Sequence, residues 1–356
     1  MGRVFVQEFD DELWQYSGSP YPPAARLAGG GPPTVLGFGP DRRARAVAFH
    51  PPQSAPYLVL SRMQETAELI NALDSPCAAR HFEIGEGAGG RLWVAAEYVP
   101  GPPLPEAVER FGPLSREGVR HLARGLIELT GRLHEAGLAG RGLEPADLVL
   151  GRTGPVLVDP GFARVEGTGG RIETGGEFES WDWCLADDVR ALGAVLYLAV
   201  TGRPAFHGCG DILSPAVGAC PSALREPIEA SQRARPESRP SLAELARAAD
   251  EGWAGASLSA HWLEEPWQSP EVLRDVNARA QEVDGLRRRF LDREIIAAAA
   301  APSLHGVRRG EVRWTGPGTA ADPEGPAALA RRALRGAWRT LATSRRQWHD
   351  RQAEHR

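Results

Sequence analysis

Two short stretches hold the residues that could do chemistry. "GRGLEPADLVL", residues 140–150, and "VDPGFARV", residues 158–165, carry the carboxylates of Asp147 and Asp159. Carboxylate oxygens are hard donors of the kind that hold Mg²⁺, but an aspartate in a loop also caps its own backbone. The residues alone leave both uses open. The first stretch has glycine at 140 and 142, which offers no side chain to take or give a proton. All 41 Lys+Arg residues are arginine. Mechanisms that need a lysine as Schiff-base former, general base or flexible ammonium on a phosphate are therefore excluded. Cys77, Cys184, Cys209 and Cys220 show neither metal-ligand nor redox spacing and read as reduced thiols of a cytosolic protein.

The elements that must position these loops follow from apolar periodicity. "RVFVQEF" near the N-terminus reads as a strand-like stretch, joined by a Gly/Pro-rich linker to the short alternating runs "TVLGFG", "RARAVAFHP", "AARHFEIGEG" and "RLWVAAEYVP". These predict strands. Between the second and third, Leu60, Met63, Ala67, Ile70 and Leu73 recur at helical spacing, with Pro76 just beyond. From Ser115 the pattern turns helical: Ser115 suits an N-cap, Val119, Leu122, Leu126, Leu129 and Leu133 form one stripe, and Gly137 suits a stop. "DDVRALGAVLYLAVTGRPAF" is apolar nearly all round and predicts a buried helix, and "ALREPIEASQRA" and "SLAELARAADEG" predict shorter ones.

In order and wording, residues 20–250 resemble the protein kinase superfamily, in particular bacterial Ser/Thr kinases. "LHEAGLAGRGLEPADLVL" is similar to the family's catalytic loop. The family's histidine falls on Gly140, its arginine on Arg141, its catalytic aspartate on Gly142, its lysine on Glu144 and its asparagine on Asp147. "VLVDPGFARV" resembles the D-F-G segment, with Asp159 and Gly161 kept and Pro160 in place of phenylalanine. "ADDVRALGAVLYLAVTGRPAF" resembles the buried helix F with its aspartate on Asp188, and "RARPESRPSLAELA" places the family's arginine on Arg239. "RLWVAAEYVPGPPL" resembles the hinge.

The resemblance implies an α+β, two-lobed protein kinase-like fold. A strand-like segment and linker would occupy 1–22, a β-rich N-lobe 23–100, a helical C-lobe 101–250, and a helical C-terminal extension 251–356 with a Gly/Pro-rich loop at 307–326. It implies a vestigial adenine pocket of Val35, Ala48, Glu97, Val99 and Val149. Asp147 and Asp159 are the implied metal ligands, with a hydrogen-bonded turn as the alternative. Arg141, Asp188 and Arg239 are implied to be structural. Arg239's usual partner is missing from "GGRIETGGEFESWDW", where Glu173 and Glu177 are candidates.

Phosphoryl transfer on this fold needs a glycine-loop cradle, a lysine paired to a helix C glutamate, two metal ligands and an aspartate for the incoming hydroxyl. Here the three loop glycines align with Ala28, Gly30 and Pro33, and Pro32 and Pro33 have no N–H to offer a phosphate. The lysine position falls on Phe49 or His50. The plainer reading of His50 is an exposed strand histidine, neutral at pH 7. The glutamate position falls near Thr66, with Glu65 or Glu68 available after a register shift. Losing a general base costs on the order of 10²- to 10⁴-fold, and losing a charge stabiliser about 10²- to 10³-fold. From about 1 to 100 turnovers per second, what remains is on the order of one event in minutes to hours, or fewer.

The expectation is therefore a catalytically inactive kinase-like protein that acts as a regulatory or scaffolding module, with ATP or ADP and Mg²⁺ held weakly or not at all. A protein partner is implied, an active kinase being one candidate. The alternative is an atypical phosphoryl or nucleotidyl transferase that uses Asp147 and Asp159. Residues 1–250 hold 24 Arg against 32 Asp+Glu, net −8, which argues against nucleic acid, and residues 251–356 hold 17 against 14, net +3. The last stretch sets Leu334, Ala337, Trp338 and Leu341 against Arg331, Arg332, Arg335 and Arg339. A basic amphipathic helix there could pack on the helical lobe, dock on an anionic membrane surface, or dock on an acidic partner or nucleic acid. No apolar run reaches the roughly 18 to 20 residues of a membrane span, and the N-terminus lacks the apolar core of a secretory signal. A soluble, cytoplasmic protein is expected.

Overall fold

The computed structural model describes residues 5–6, 19–27, 32–52, 56–140, 143–159, 164–165, 181–205, 220–251 and 267–300. They fall in one compact unit that runs to Ala300. The C-terminal basic stretch and the loop at 307–326 lie outside the described residues.

The first half builds an antiparallel sheet from β1 (Phe5–Val6), β2 (Ala25–Leu27), β3 (Thr34–Phe38), β4 (Ala44–Pro52), β5 (His81–Glu86) and β6 (Arg91–Glu97), in the order β1-β2-β3-β4-β6-β5. The strand-like stretch at the N-terminus thus joins the same sheet, with Phe5 opposite Leu27. Strand alternation divides the sheet into two faces. Val35 opposes Val47 and Val47 opposes Ala95; these three gather with Tyr21, Phe49 and Trp93 in a buried cluster on one side. Thr34 opposes Ala48, which opposes Val94; this row faces the other way. Helix α1 (Pro56–Leu73) covers part of that second face, packing Val59 and Met63 on Leu92 and Val94.

The helical half contains α2 (Leu104–Phe111), α3 (Arg116–Glu135), α4 (Trp181–Thr201), α5 (Ser222–Ser231) and α6 (Leu242–Glu251). Ser115 caps α3, its side chain accepting from the Gly118 N–H at 3.1 Å, and Gly137 ends the turn beyond it at φ 76°. The α3 stripe from Val119 to Leu133 is buried against α4, whose Leu192, Val195 and Leu196 are also fully or nearly fully buried. The two-lobed α+β architecture is that of the sequence reading.

The last described helix, α7 (Pro270–Ala300), departs from it. Trp267, Val272 and Val276 belong to the main core of the helical half, and Val283, Leu286 and Phe290 pack with Leu36 and Phe38 of the sheet. A separate extension beginning after Asp250 does not describe this helix, because one apolar face of it fastens to both halves.

Candidate functional site

A cleft of about 160 Å³ opens where sheet and helices meet. Its roof is the second sheet face, with Ala46, Ala48, Val94 and Ala96, and its floor includes Val149 and Val158. Small alanines on β4 and β6 leave room there for a flat ring. Glu97, Tyr98 and Val99 close the end where β6 leaves the sheet. Of the residues expected around an adenine, Ala48, Glu97, Val99 and Val149 line this cleft. Val35 does not. It faces the opposite side of the sheet, in the cluster with Val47 and Trp93, because its partner across the ladder is Val47 and not Ala48. Thr34 takes the cleft position instead.

The floor is a hairpin of β7 (Leu148–Leu150) and β8 (Pro155–Leu157), preceded by a 3₁₀ turn over Pro145–Asp147. Both carboxylates sit at its ends, and Asp147 and Asp159 line the one cleft. The Val158 N–H donates to the Asp147 carbonyl at 2.9 Å, which fixes the two segments side by side. Glu144, in the lysine position of the loop, is exposed and lies outside the lining. Among the described residues no cluster of three or more His, Cys, Asp or Glu is arranged to hold a metal; Asp147 and Asp159 on the floor and Glu97 at the end of β6 are the carboxylates that line the cleft.

The ambiguity between Phe49 and His50 resolves by alternation. Phe49 is buried on the far face, while His50, two residues beyond Ala48, lines the cleft. His50 is 8% exposed, so it is not the exposed strand histidine that its sequence context suggests. Strand β4 continues past it to Pro52. Burial pushes its pKa down from 6.5, and the negative charge of Asp159 offsets only part of that. The imidazole is accordingly neutral at pH 7. On α1, Thr66 occupies the inward position at 1% exposure, whereas Glu65 and Glu68 are exposed. No carboxylate of α1 takes the inward place, and the register shift left open by the sequence does not occur.

The supporting residues are better satisfied. Asp188, on α4, accepts from the Gly140 N–H at 2.8 Å, and His134 Nε2 lies 2.9 Å from the same oxygen. It is 5% exposed and anchors the chain just before residue 141. Arg239 finds its partner in Asp187 at 2.8 Å and adds bonds to the carbonyls of Ala186 and Arg233. Sequence reasoning missed Asp187, because the pairing joins two elements distant in the chain. Glu173 and Glu177, and also Ala28, Gly30, Arg141, Gly142, Pro160 and Gly161, lie outside the described residues.

One lining residue comes from an unexpected place. Arg279, on α7, reaches the cleft beside Tyr98 and Pro103. It pairs with Asp275 and with Glu106 of α2, each at 2.5 Å. Arg110 bonds the same two acids, at 2.9 and 2.7 Å. Tyr98, half-buried next to this group, has its phenol pushed up to about 12, chiefly by desolvation.

No protein-family model matches the chain. Curated relatives do. The chain is 32% identical over 199 residues to a probable serine/threonine-protein kinase, PkwA, of Thermomonospora curvata, covering 51% of this chain and 26% of that one. It is 32% identical over 173 residues to the serine/threonine-protein kinase AfsK of Streptomyces coelicolor, covering 43% and 22%. With the serine/threonine-protein kinase PknA of Mycobacterium tuberculosis it shares 31% over 173 residues, covering 43% and 39%. The matched region thus spans between about a fifth and two fifths of these relatives' length. With its two-lobed α+β fold, the chain is similar over the matched region to bacterial serine/threonine protein kinases.

Proposed function

We propose that this kinase-like protein transfers no phosphate and acts through binding, as a regulatory or scaffolding module whose partner is another protein. The observation that carries this reading is the roof of the cleft. Where transfer chemistry needs a cation held by a carboxylate, the roof has a desolvated His50 and α1 turns Thr66 inward. The chain has no lysine to take their place, and Gly142 stands at the position of the acid-base residue. A phosphate placed beside Asp147 and Asp159 under this roof would meet two carboxylates and no cation from β4 or α1 to balance its charge. The buried supports, by contrast, are intact around Asp188 and Arg239. Structure is retained where it holds the lobes and altered where it would do chemistry.

The position of Asp147 and Asp159 in one cleft favours a second reading, a nucleotide-dependent phosphoryl or nucleotidyl transferase in which these carboxylates hold Mg²⁺ or Mn²⁺. Thermal stability measured with ATP or ADP, with and without the metal, separates the two, because a ligand that binds the folded state must raise its stability. The binding-module reading expects any shift to be independent of metal. A metal-dependent shift that Asp159→Asn abolishes would favour the transferase.

A further inference from the structure

Helix α7 carries one stripe at positions 272, 276, 279, 283, 286 and 290, spaced alternately by four and three residues, which is a single helical face. Five of these are apolar. Val272 and Val276 sit in the core of the helical half, and Val283, Leu286 and Phe290 pack with the sheet. The sixth is Arg279, 6% exposed, where the stripe passes the cleft. Packing does not require an arginine there, since an apolar side chain of similar volume is often as stable as a buried ion pair, or more so.

The geometry of its bonds suggests another reason. The Arg279 guanidinium directs Nε to Asp275 and Nη2 to Glu106. A guanidinium has five N–H donors. Nη1 makes no bond to any described residue, yet it is not among the buried polar atoms left without a partner. Two N–H groups of a residue that lines the cleft therefore have no acceptor among the described residues. The two acids and two arginines of the group hold the guanidinium in place and leave these donors unspent.

We propose that Arg279 is a ligand-contacting residue of the cleft, supplied by α7 of the same chain. Its ligand is a flat heteroaromatic ring seated between Ala48 and Val149, with an oxygen-bearing sugar or phosphate substituent that accepts from Nη1. This rests on reading the cleft as a binding site without transfer chemistry. It makes α7 a wall of that site, so that the helix fastening the two lobes is also the one that meets the ligand.

Calorimetric titration of the full chain with adenosine and with ADP, without metal, tests it. Loss of a hydrogen bond from a charged donor weakens binding by about tenfold or more, and that is expected for Arg279→Met and Arg279→Lys alike. The lysine variant keeps a charge facing Glu106 and Asp275 but lacks the planar fork. Arg274→Met removes a charge from the exposed side of the same helix, where Arg274 pairs with Glu271 at 3.0 Å away from the cleft lining, and should change affinity by less than about twofold, the range of a merely structural role. A loss below about threefold at position 279, or an equal loss at position 274, would overturn the assignment. Absence of binding by both adenosine and ADP to the unaltered chain would overturn it too. That outcome would leave the no-transfer reading standing, because the latter is judged by transfer from ATP.

Discussion

The floor and the roof of the cleft have diverged in chemistry while sharing the same space. The floor presents Asp147 and Asp159 from a short hairpin, and Asp188 behind it holds the chain at Gly140. The roof presents three alanines, Val94 and a buried His50. A floor with two carboxylates under a roof that supplies no cation could position an ion or a ring but would leave the charge of a phosphate in transfer unbalanced beside them. On the proposed reading, catalysis in this fold is a property of both walls together, and one altered wall would be enough to remove it while the packing of each stays sound.

The floor's integrity is the place to break this contrast most severely. Asp188→Ala would leave the Gly140 N–H and His134 facing an empty site within the protein, and a stability loss of about 3 kcal/mol is expected, measured by chemical denaturation. A loss below about 1 kcal/mol would mean that the floor is not anchored through this carboxylate. The junction of the walls comes next. A Cβ on Gly101 would stand 2.3 Å from the Leu150 carbonyl oxygen, next to the bond from Leu150 N–H to Pro102. Gly101→Ala must therefore push the chain leaving the roof away from the floor, costing about 1 to 3 kcal/mol and weakening any ligand held between them.

The roof gives the smallest effect, and a distinctive sign. His50 has a folded pKa below its ordinary 6.5, so the folded state favours the neutral ring. Below about pH 6.5 the unfolded chain takes up the proton first, and stability falls as pH drops from there toward the folded pKa. His50→Gln should flatten that part of the stability profile between about pH 5 and 7. An unchanged slope would mean that His50 is hydrated in the folded protein.

How far the sequence foretold this site depends on whether a residue's surroundings are local. Ala48, Val99 and Val149 were legible because each sits in an apolar strand or hinge whose wording is self-contained. Asp147 and Asp159 were legible as a pair through the resemblance of their two loops to the family's, and a single hairpin brings both to the cleft. Val35 was misassigned by one residue, since the face of β3 that meets the cleft is set by its register with β4 and not by its own alternation. His50 was expected on the surface for the same reason. Arg279 lay beyond reach: its stripe reads as an amphipathic helix with a polar interruption, and only the packing of α7 on both lobes brings it to the cleft. Asp187 was missed as the partner of Arg239 because the pair spans 52 residues.

The most direct test of the central claim is a single-turnover assay of the full chain with γ-labelled ATP and Mg²⁺ or Mn²⁺, following label into the protein itself and into added protein and peptide acceptors. The account predicts no transfer above the level without protein, and none gained by His50→Lys alone, because Gly142 would still provide no base and Thr66 no carboxylate. Transfer by the unaltered chain that Asp159→Asn removes would contradict it.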